Sequence, residues 1–333
     1  MRPRYARTDE GNSMSHFDLP LEKLRERRSD VVAPDDFDEF WSSTLEGSRS
    51  AHGETYAPEV DNGLAIVTTH DVTFSGFAGD PVRAWFFRPA HVEPRAVIVE
   101  FLGYSGGRGL SHQISEWVAA GYAHLRVDTR GQGANLGMQG ATTDPHGSGP
   151  AASGSMTRGI TSPEDYYYRR VFTDAVRAVD VAHELAPELP VFVTGISQGG
   201  GIAIAAAALG ADVAGAMVDV PFLCDFPRAT SITDRDPYGE IVRYLAAFRD
   251  QIDETFRTLS YFDGVNLASR ATVPALFSVA LMDAICPPST VFGAFNAWAH
   301  DDKHIEHYDY NGHEGGGPVQ RRKQLDWLAE QLA

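Results

Sequence analysis

Midway along the chain, the apolar run Val191-Phe192-Val193-Thr194 meets Gly195-Ile196-Ser197-Gln198-Gly199-Gly200-Gly201, followed by an alanine-rich stretch from Ile202 to Leu209. This reads as a short strand, a G-x-S-x-G turn and a helix. A strand that turns straight into a helix leaves room only for small side chains, so glycine is needed two residues either side of the serine. Such a turn holds its serine in a strained backbone conformation and lifts the hydroxyl clear of the sheet. The next backbone N–H, that of Gln198, points to where a negatively charged oxygen would form. The helix directs the positive end of its dipole at the same point. A glycine-rich turn that merely contains a serine is the plainer reading, and the flanking strand and helix argue against it.

A serine hydroxyl is a poor nucleophile without a base and a group that orients the base. On a strand–turn–helix scaffold of this kind, these follow in the order Ser, Asp/Glu, His. The strand Ala275-Leu276-Phe277-Ser278-Val279-Ala280 ends in Leu281-Met282-Asp283, and a run from Ile305 to Tyr310 ends in Asn311-Gly312-His313-Glu314-Gly315-Gly316-Gly317. Both Asp283 and His313 fall just beyond the C-terminal ends of strands, where open α/β sheets bind ligands. His313 would take the serine proton, and Asp283 would fix the imidazole tautomer and stabilise the imidazolium. Asp219, ending the strand Ala214 to Val218, is the second choice for the orienting acid. Asp128 precedes Ser197, so chain order counts against it. His300, His304 and His307 lie among Asp and Lys and read as a solvated helix end and strand face. His183-Glu184 lacks the second histidine of H-E-x-x-H. No metal or cofactor is expected.

The strand Ala96-Val97-Ile98-Val99-Glu100-Phe101 runs into Leu102-Gly103-Tyr104-Ser105-Gly106-Gly107-Arg108-Gly109. A loop after an early strand commonly supplies the second oxyanion donor, and the Tyr104 N–H is the candidate. An ordinary glycine loop is the alternative. Arg130 and Gln132 follow the Asp128 strand at the same edge, where an arginine can pin loops by bidentate bonds to a carboxylate.

Asp128-Thr129-Arg130-Gly131-Gln132-Gly133, Gly195-Ile196-Ser197-Gln198-Gly199-Gly200 and His313-Glu314 together resemble the three signatures of the acetyl xylan esterase and cephalosporin C deacetylase family. That is carbohydrate esterase family seven, within the α/β-hydrolases. Asp36 to Trp41, Gly103 to Leu110, Pro163 to Arg170 and Leu281 to Thr290 are also similar to the family. The resemblance runs from about Phe17 to the C-terminus. It implies a mostly parallel central sheet flanked by helices, with an N-terminal helical segment and an insertion over the active site. It also implies Ser197, Asp283 and His313 as a triad, favouring Asp283 over Asp219, and the Tyr104 and Gln198 amides as oxyanion hole. The implied substrates are small acetylated molecules, including acetylated xylo-oligosaccharides and cephalosporin C. The implied assembly is a homo-oligomer, a hexamer of paired trimers whose active sites face an internal cavity. One departure is Leu102, where the family often carries histidine; it leaves the Tyr104 N–H but bears on how the loop is held.

The 28 Lys and Arg against 45 Asp and Glu leave a net charge of −17. Such an acidic chain argues against nucleic acid and anionic membrane as partners. No apolar run reaches the ~20 residues of a membrane span. Residues 1–13 are charged and lack the apolar core of a secretory signal. They are expected to be a disordered extension, with 14–333 one α/β-hydrolase domain. Cys224 and Cys286 are expected as thiols of a cytoplasmic protein, with a disulfide as the alternative.

Along the chain, Leu19, Leu21 and Leu24 lead to an expected helix from Asp35 to Leu45. Strands are expected near Ile66–Phe74 and Val82–Arg88. Strands then alternate with helices, the mark of a parallel sheet. Ser162-Pro163-Glu164-Asp165 carries a capping serine, a first-turn proline and two acids, so a helix is expected to start there. The stretch from Gly133 to Ile160 reads as an ordered surface loop. The insertion, about 222–272, has its clearest helix over Glu240–Phe256. Its aromatics Phe222, Phe226, Tyr238 and Phe248 read mainly as internal packing.

Three functions fit these residues. The first is a serine esterase removing acetyl groups from small alcohols. The second is a hydrolase on the same scaffold acting on longer acyl esters, lactones or peptides. The third is a non-catalytic binding protein, whose expected mark, a missing triad member, is not found.

Overall fold

Nine strands form one sheet in the computed structural model, which describes residues 17–135, 138–147 and 149–333. The expected extension at residues 1–13 lies outside the described residues. The chain opens with α1 (Leu21–Glu26) and α2 (Phe37–Ser50), then enters the sheet through β1 (Glu59–Val60), β2 (Val67–Ser75) and β3 (Pro81–Pro89). β4 (Val97–Phe101), α3 (Glu116–Ala119) and β5 (Ala123–Val127) follow, then a small separate hairpin of β6 (Ala134–Asn135) and β7 (Met138–Gln139). Next come α4 (Tyr167–Leu185), β8 (Val191–Ile196), α5 (Gln198–Leu209) and β9 (Val213–Asp219). The insertion carries α6 (Phe226–Ile232), α7 (Tyr238–Ala247), α8 (Ile252–Ser260) and α9 (Gly264–Ala268). β10 (Ala275–Ala280), α10 (Pro288–Ala297), β11 (Lys303–Tyr308) and α11 (Gly317–Gln331) complete the chain.

The strand order is β1-β2-β3-β5-β4-β8-β9-β10-β11. Pairings from β1 through β3 to β5 are antiparallel, and every pairing from β5 to β11 is parallel. The central strands are buried on both faces, which explains their unbroken apolar runs. Alternate residues enter opposite layers. Val97, Val99, Val191 and Val193 join the large core that also contains Phe172 of α4 and the alanines of α5. Ile98 and Phe192 instead join Trp117 of α3 and Trp327 and Leu328 of α11.

Several expected boundaries move. The Ser162-Pro163-Glu164-Asp165 signal produces turns, not a helix start: Ser162 Oγ bonds Glu164 at 2.8 Å, and the Ser162 carbonyl accepts from Asp165 and Tyr166. Tyr166 is extended (φ −62°, ψ 134°) and α4 begins at Tyr167. Burial of three consecutive tyrosines, Tyr166 to Tyr168, overrides the local capping preference. α2 starts at Phe37 rather than Asp35 and continues to Ser50. The single helix expected over Glu240–Phe256 is two, α7 and α8. Phe248 leaves the helix to stack on Tyr244, at 4.6 Å between ring centroids, and the Tyr244 hydroxyl donates to Gln251. The Gly133–Ile160 stretch is a surface loop only in part, because Ser155, Met156, Thr157 and Ile160 are buried.

The N-terminal segment and the insertion pack on each other. Trp41 Nε1 donates to the Tyr261 carbonyl at 3.0 Å, the Arg27 guanidinium meets Asp225 at 2.5 Å, and Arg228 meets Asp18 at 2.9 Å. The insertion aromatics mostly pack among themselves, with Phe222 and Phe226 both against Tyr238. Cys224 and Cys286 are both buried free thiols. Among the described residues no helix is long and apolar enough to cross a membrane.

Candidate active site

Ser197 stands between β8 and α5 with φ 58° and ψ −119°. A non-glycine residue in that region costs on the order of 1–3 kcal/mol and persists only where its surroundings force it. Here the backbone is gripped from two sides. Its N–H donates to the Asp219 carbonyl at 2.9 Å, and its carbonyl accepts from Gly201 and Phe222. A methyl group at Gly195 would strike the Gly199 carbonyl, and one at Gly199 would strike the Phe101 carbonyl at the end of β4. The two glycines therefore let the elbow close against its own helix and the neighbouring strand.

His313 reaches Ser197 from the loop after β11. Glu314 folds this loop on itself, accepting from Asn311 Nδ2 at 2.7 Å and the Gly312 N–H at 3.1 Å. Gly315 and Gly316, at φ 59° and 85°, turn the chain into α11. His313 Nε2 lies 2.9 Å from Ser197 Oγ, and Nδ1 lies 2.9 Å from Asp283 Oδ2. The other Asp283 oxygen accepts the Ile285 and Cys286 N–H groups at 2.8 and 3.0 Å. A carboxylate can only accept, so neutral His313 carries its proton on Nδ1 and offers the Nε2 lone pair to the serine hydroxyl. Asp283 is fully buried, whereas the His313 side chain keeps 29% of its surface open.

Asp219, the rival acid, faces away. Its carboxylate accepts Gln320 Nε2 at 3.0 Å and Gln324 Nε2 at 2.7 Å, both from α11. Asp128 serves loops instead, accepting the Arg108, Ala141 and Thr142 N–H groups. Burial pushes both carboxyls above their ordinary value.

Gln198 directly follows Ser197 at the start of α5, and the Tyr104 loop follows β4, the strand paired beside β8. Among the described residues, neither backbone N–H donates to another protein group. The loop carrying Tyr104 is held by two glutamine side chains. Gln132 Oε1 accepts the Ser105 N–H at 2.6 Å, and Gln198 Nε2 donates to the Leu102 carbonyl at 3.1 Å. The two amides also bond each other at 2.9 Å, and Tyr168 donates to Gln198 Oε1 at 2.9 Å. The loop is thus tied through the Leu102 carbonyl, a contact that does not depend on the side chain at that position. Sequence reasoning missed this glutamine pair. The signal was there in the two motifs, each with glutamine next to or near the critical residue, but only folding brings them together.

Arg130 sits beneath this platform. Its side chain is fully buried and forks onto Asp174, Nε to Oδ2 at 2.6 Å and Nη2 to Oδ1 at 2.7 Å, with Nη1 on Asp80 at 2.9 Å. Its carbonyl accepts the Tyr167 hydroxyl. This is the loop-pinning role expected from the sequence. Arg130→Met should leave buried Asp174 without its partner and cost about 3–5 kcal/mol. The loss should be read as a lower midpoint in urea unfolding at unchanged slope. An unmoved midpoint would contradict this role.

Asp283, Cys286 and His313 bring a carboxylate oxygen, a thiol and a ring nitrogen within 4.8 Å of one another. Both Asp283 oxygens and both His313 nitrogens are already engaged, so the set reads as a proton relay and not a cation site. Burial, with Asp283 beside it, pushes the Cys286 thiol well above its ordinary range, so it stays protonated. Cys286 therefore lies beside the triad as a neutral thiol, while the half-buried Ile285 packs against the core.

The sequence profile described as acetyl xylan esterase (AXE1) matches residues 14–331. The acetyl xylan esterase from Paenibacillus sp. R4 superposes with a TM-score of 0.86 at 34% identity, covering 94% of this chain and 99% of that one. Acetyl xylan esterase 1 from Thermoanaerobacterium sp. JW/SL YS485 gives 0.86 at 31% identity, covering 95% and 100%. The acetyl esterase Axe7A of Xylanibacter ruminicola is 26% identical over 280 residues, or 79% of this chain. The match spans only 60% of that relative's length.

Proposed function

The chain belongs to the acetyl xylan esterase family, and from that premise we propose that it hydrolyses acetyl esters of small alcohols and sugars through an acyl-enzyme on Ser197. The observation that carries this reading is the unbroken hydrogen-bond line from Asp283 through His313 to Ser197, 2.9 Å at each step, ending on a serine in a strained elbow. His313 Nε2 takes the proton of Ser197 Oγ as the oxygen attacks the acetyl carbonyl. The carbonyl oxygen becomes an anion between the Tyr104 and Gln198 N–H groups, with the α5 dipole behind them. His313 returns the proton to the departing alcohol, leaving acetyl-Ser197. A water, deprotonated by the same nitrogen, then attacks, and acetate leaves.

Cys286 beside the triad, with Ile285 next to it on the same loop as the proposed wall of the acyl pocket, supports a preference for acetate, because each added methylene must find space in a packed surface. Acetylated xylo-oligosaccharides and cephalosporin C are the substrates this reading proposes. The test is a panel of p-nitrophenyl acetate, butyrate and octanoate with those two substrates added. We expect kcat/KM to fall about 100-fold from acetate to butyrate, at roughly 10-fold or more per methylene. Ile285→Ala should recover part of the loss on butyrate. Equal turnover of acetate, butyrate and octanoate would favour the hydrolase of other specificity. Failure of a fluorophosphonate to label Ser197 would favour a binding protein.

A further inference from the structure

Tyr104 carries a second set of contacts that its backbone role does not require. Its hydroxyl donates to Glu240 Oε1 at 2.8 Å and accepts the Ser155 N–H at 2.5 Å. Glu240 Oε2 accepts the Met156 N–H at 3.0 Å. Glu240 lies in the first turn of α7, inside the insertion, and is 3% exposed. The neighbouring cation, Arg243, pairs with Asp236 instead. Burying a carboxylate that is held by neutral donors is costly. The local backbone is shaped to admit it: Gly154, at φ 113°, leaves the space its own side chain would fill to the Glu240 carboxylate.

We propose that Glu240 is a positioning residue for the oxyanion hole, anchoring the Tyr104 phenol and thereby the loop that supplies the Tyr104 N–H in the proposed mechanism. The inference rests on the hydrolase reading above. Glu240 touches no reacting atom. It acts by fixing one end of a loop that the Gln132 and Gln198 amides also hold. Burial and the adjacent carboxylate both push the Tyr104 phenol well above its ordinary value, so its proton stays available for donation. Glu240 has an acceptor for each of its two donors. A glutamine there can satisfy only one, because its NH2 must face either the Tyr104 hydroxyl or the Met156 N–H. Tyr104→Phe removes one oxygen and leaves the backbone N–H in place.

The test compares the full-length protein with Tyr104→Phe, Glu240→Gln and the double variant. Two readouts are taken: steady-state hydrolysis of p-nitrophenyl acetate and inhibition by a trifluoromethyl ketone, whose serine adduct carries an oxyanion. Each single variant should lower kcat about 10- to 100-fold with KM within about threefold. Inhibitor affinity should fall by a similar factor. The double variant should be no worse than the poorer single, since both act through one contact. Folded single variants with unchanged kcat and inhibitor affinity overturn the proposal, as does a loss of kcat that leaves inhibitor affinity intact. If Glu240→Gln does not fold, Tyr104→Phe decides by the same two readouts. An unmodified protein that cleaves no ester would instead count against the proposed function.

Discussion

Ser197→Ala is expected to lower kcat for p-nitrophenyl acetate by about 10,000- to 1,000,000-fold, because triad members act as a unit and removing one forfeits most of what all three provide. The fold should survive, since the elbow is held by backbone contacts: the Ser197 N–H to the Asp219 carbonyl, and the Ser197 carbonyl to Gly201 and Phe222. None involves the hydroxyl. Alanine at φ 58° is strained to a similar degree as serine, so the thermal midpoint should change little. His313→Ala should match it in activity, because the remaining serine has no base within reach. The measurement is kcat on material checked by circular dichroism and freed of contaminating esterase. Turnover within tenfold of the unmodified protein would remove Ser197 from its proposed role.

The second large effect separates the two acids. Asp283→Asn should cost about 10,000-fold in kcat. The reason lies in which oxygen does what. Oδ1 accepts two backbone N–H groups, from Ile285 and Cys286, so an amide placed there keeps its oxygen on that side. Its NH2 then faces His313 Nδ1 and donates to it. That forces the imidazole proton onto Nε2, and the ring can no longer accept from Ser197. Asp219→Asn should lose less than about tenfold, since its side chain bonds no triad group: the asparagine oxygen can keep the Gln324 amide while Gln320 turns its own, its NH2 then facing the Tyr308 hydroxyl, which can accept. The reverse ordering of the two variants would move the acid to the end of β9.

Much of the site was legible along the chain because its chemistry is locally encoded. The elbow needs small residues on either side of Ser197, and those glycines are adjacent in sequence. The strand ends that carry Asp283 and His313 announce themselves as apolar runs meeting polar loops. The burial of the central strands on both faces is written in the same runs. Local signals misled where tertiary contacts outweighed them. Ser162 has every feature of a helix cap, yet the helix waits until Tyr167 because Tyr166 is drawn into the core.

The residue types, their order and the strand–turn–helix elbow were determined by the sequence alone, since a strained turn and a nucleophile's needs are satisfied within a few neighbouring residues. Partner choice was decided only by the tertiary structure. Asp219 and Asp283 are equivalent as acids ending neighbouring strands, and the fold separates them by turning one toward α11 and the other toward His313. Gln132 meets Gln198 across 66 positions, and Glu240 meets Tyr104 across 136. Hydrogen bonds reach about 3 Å, so such pairings exist only once the sheet, the loops and the insertion have packed.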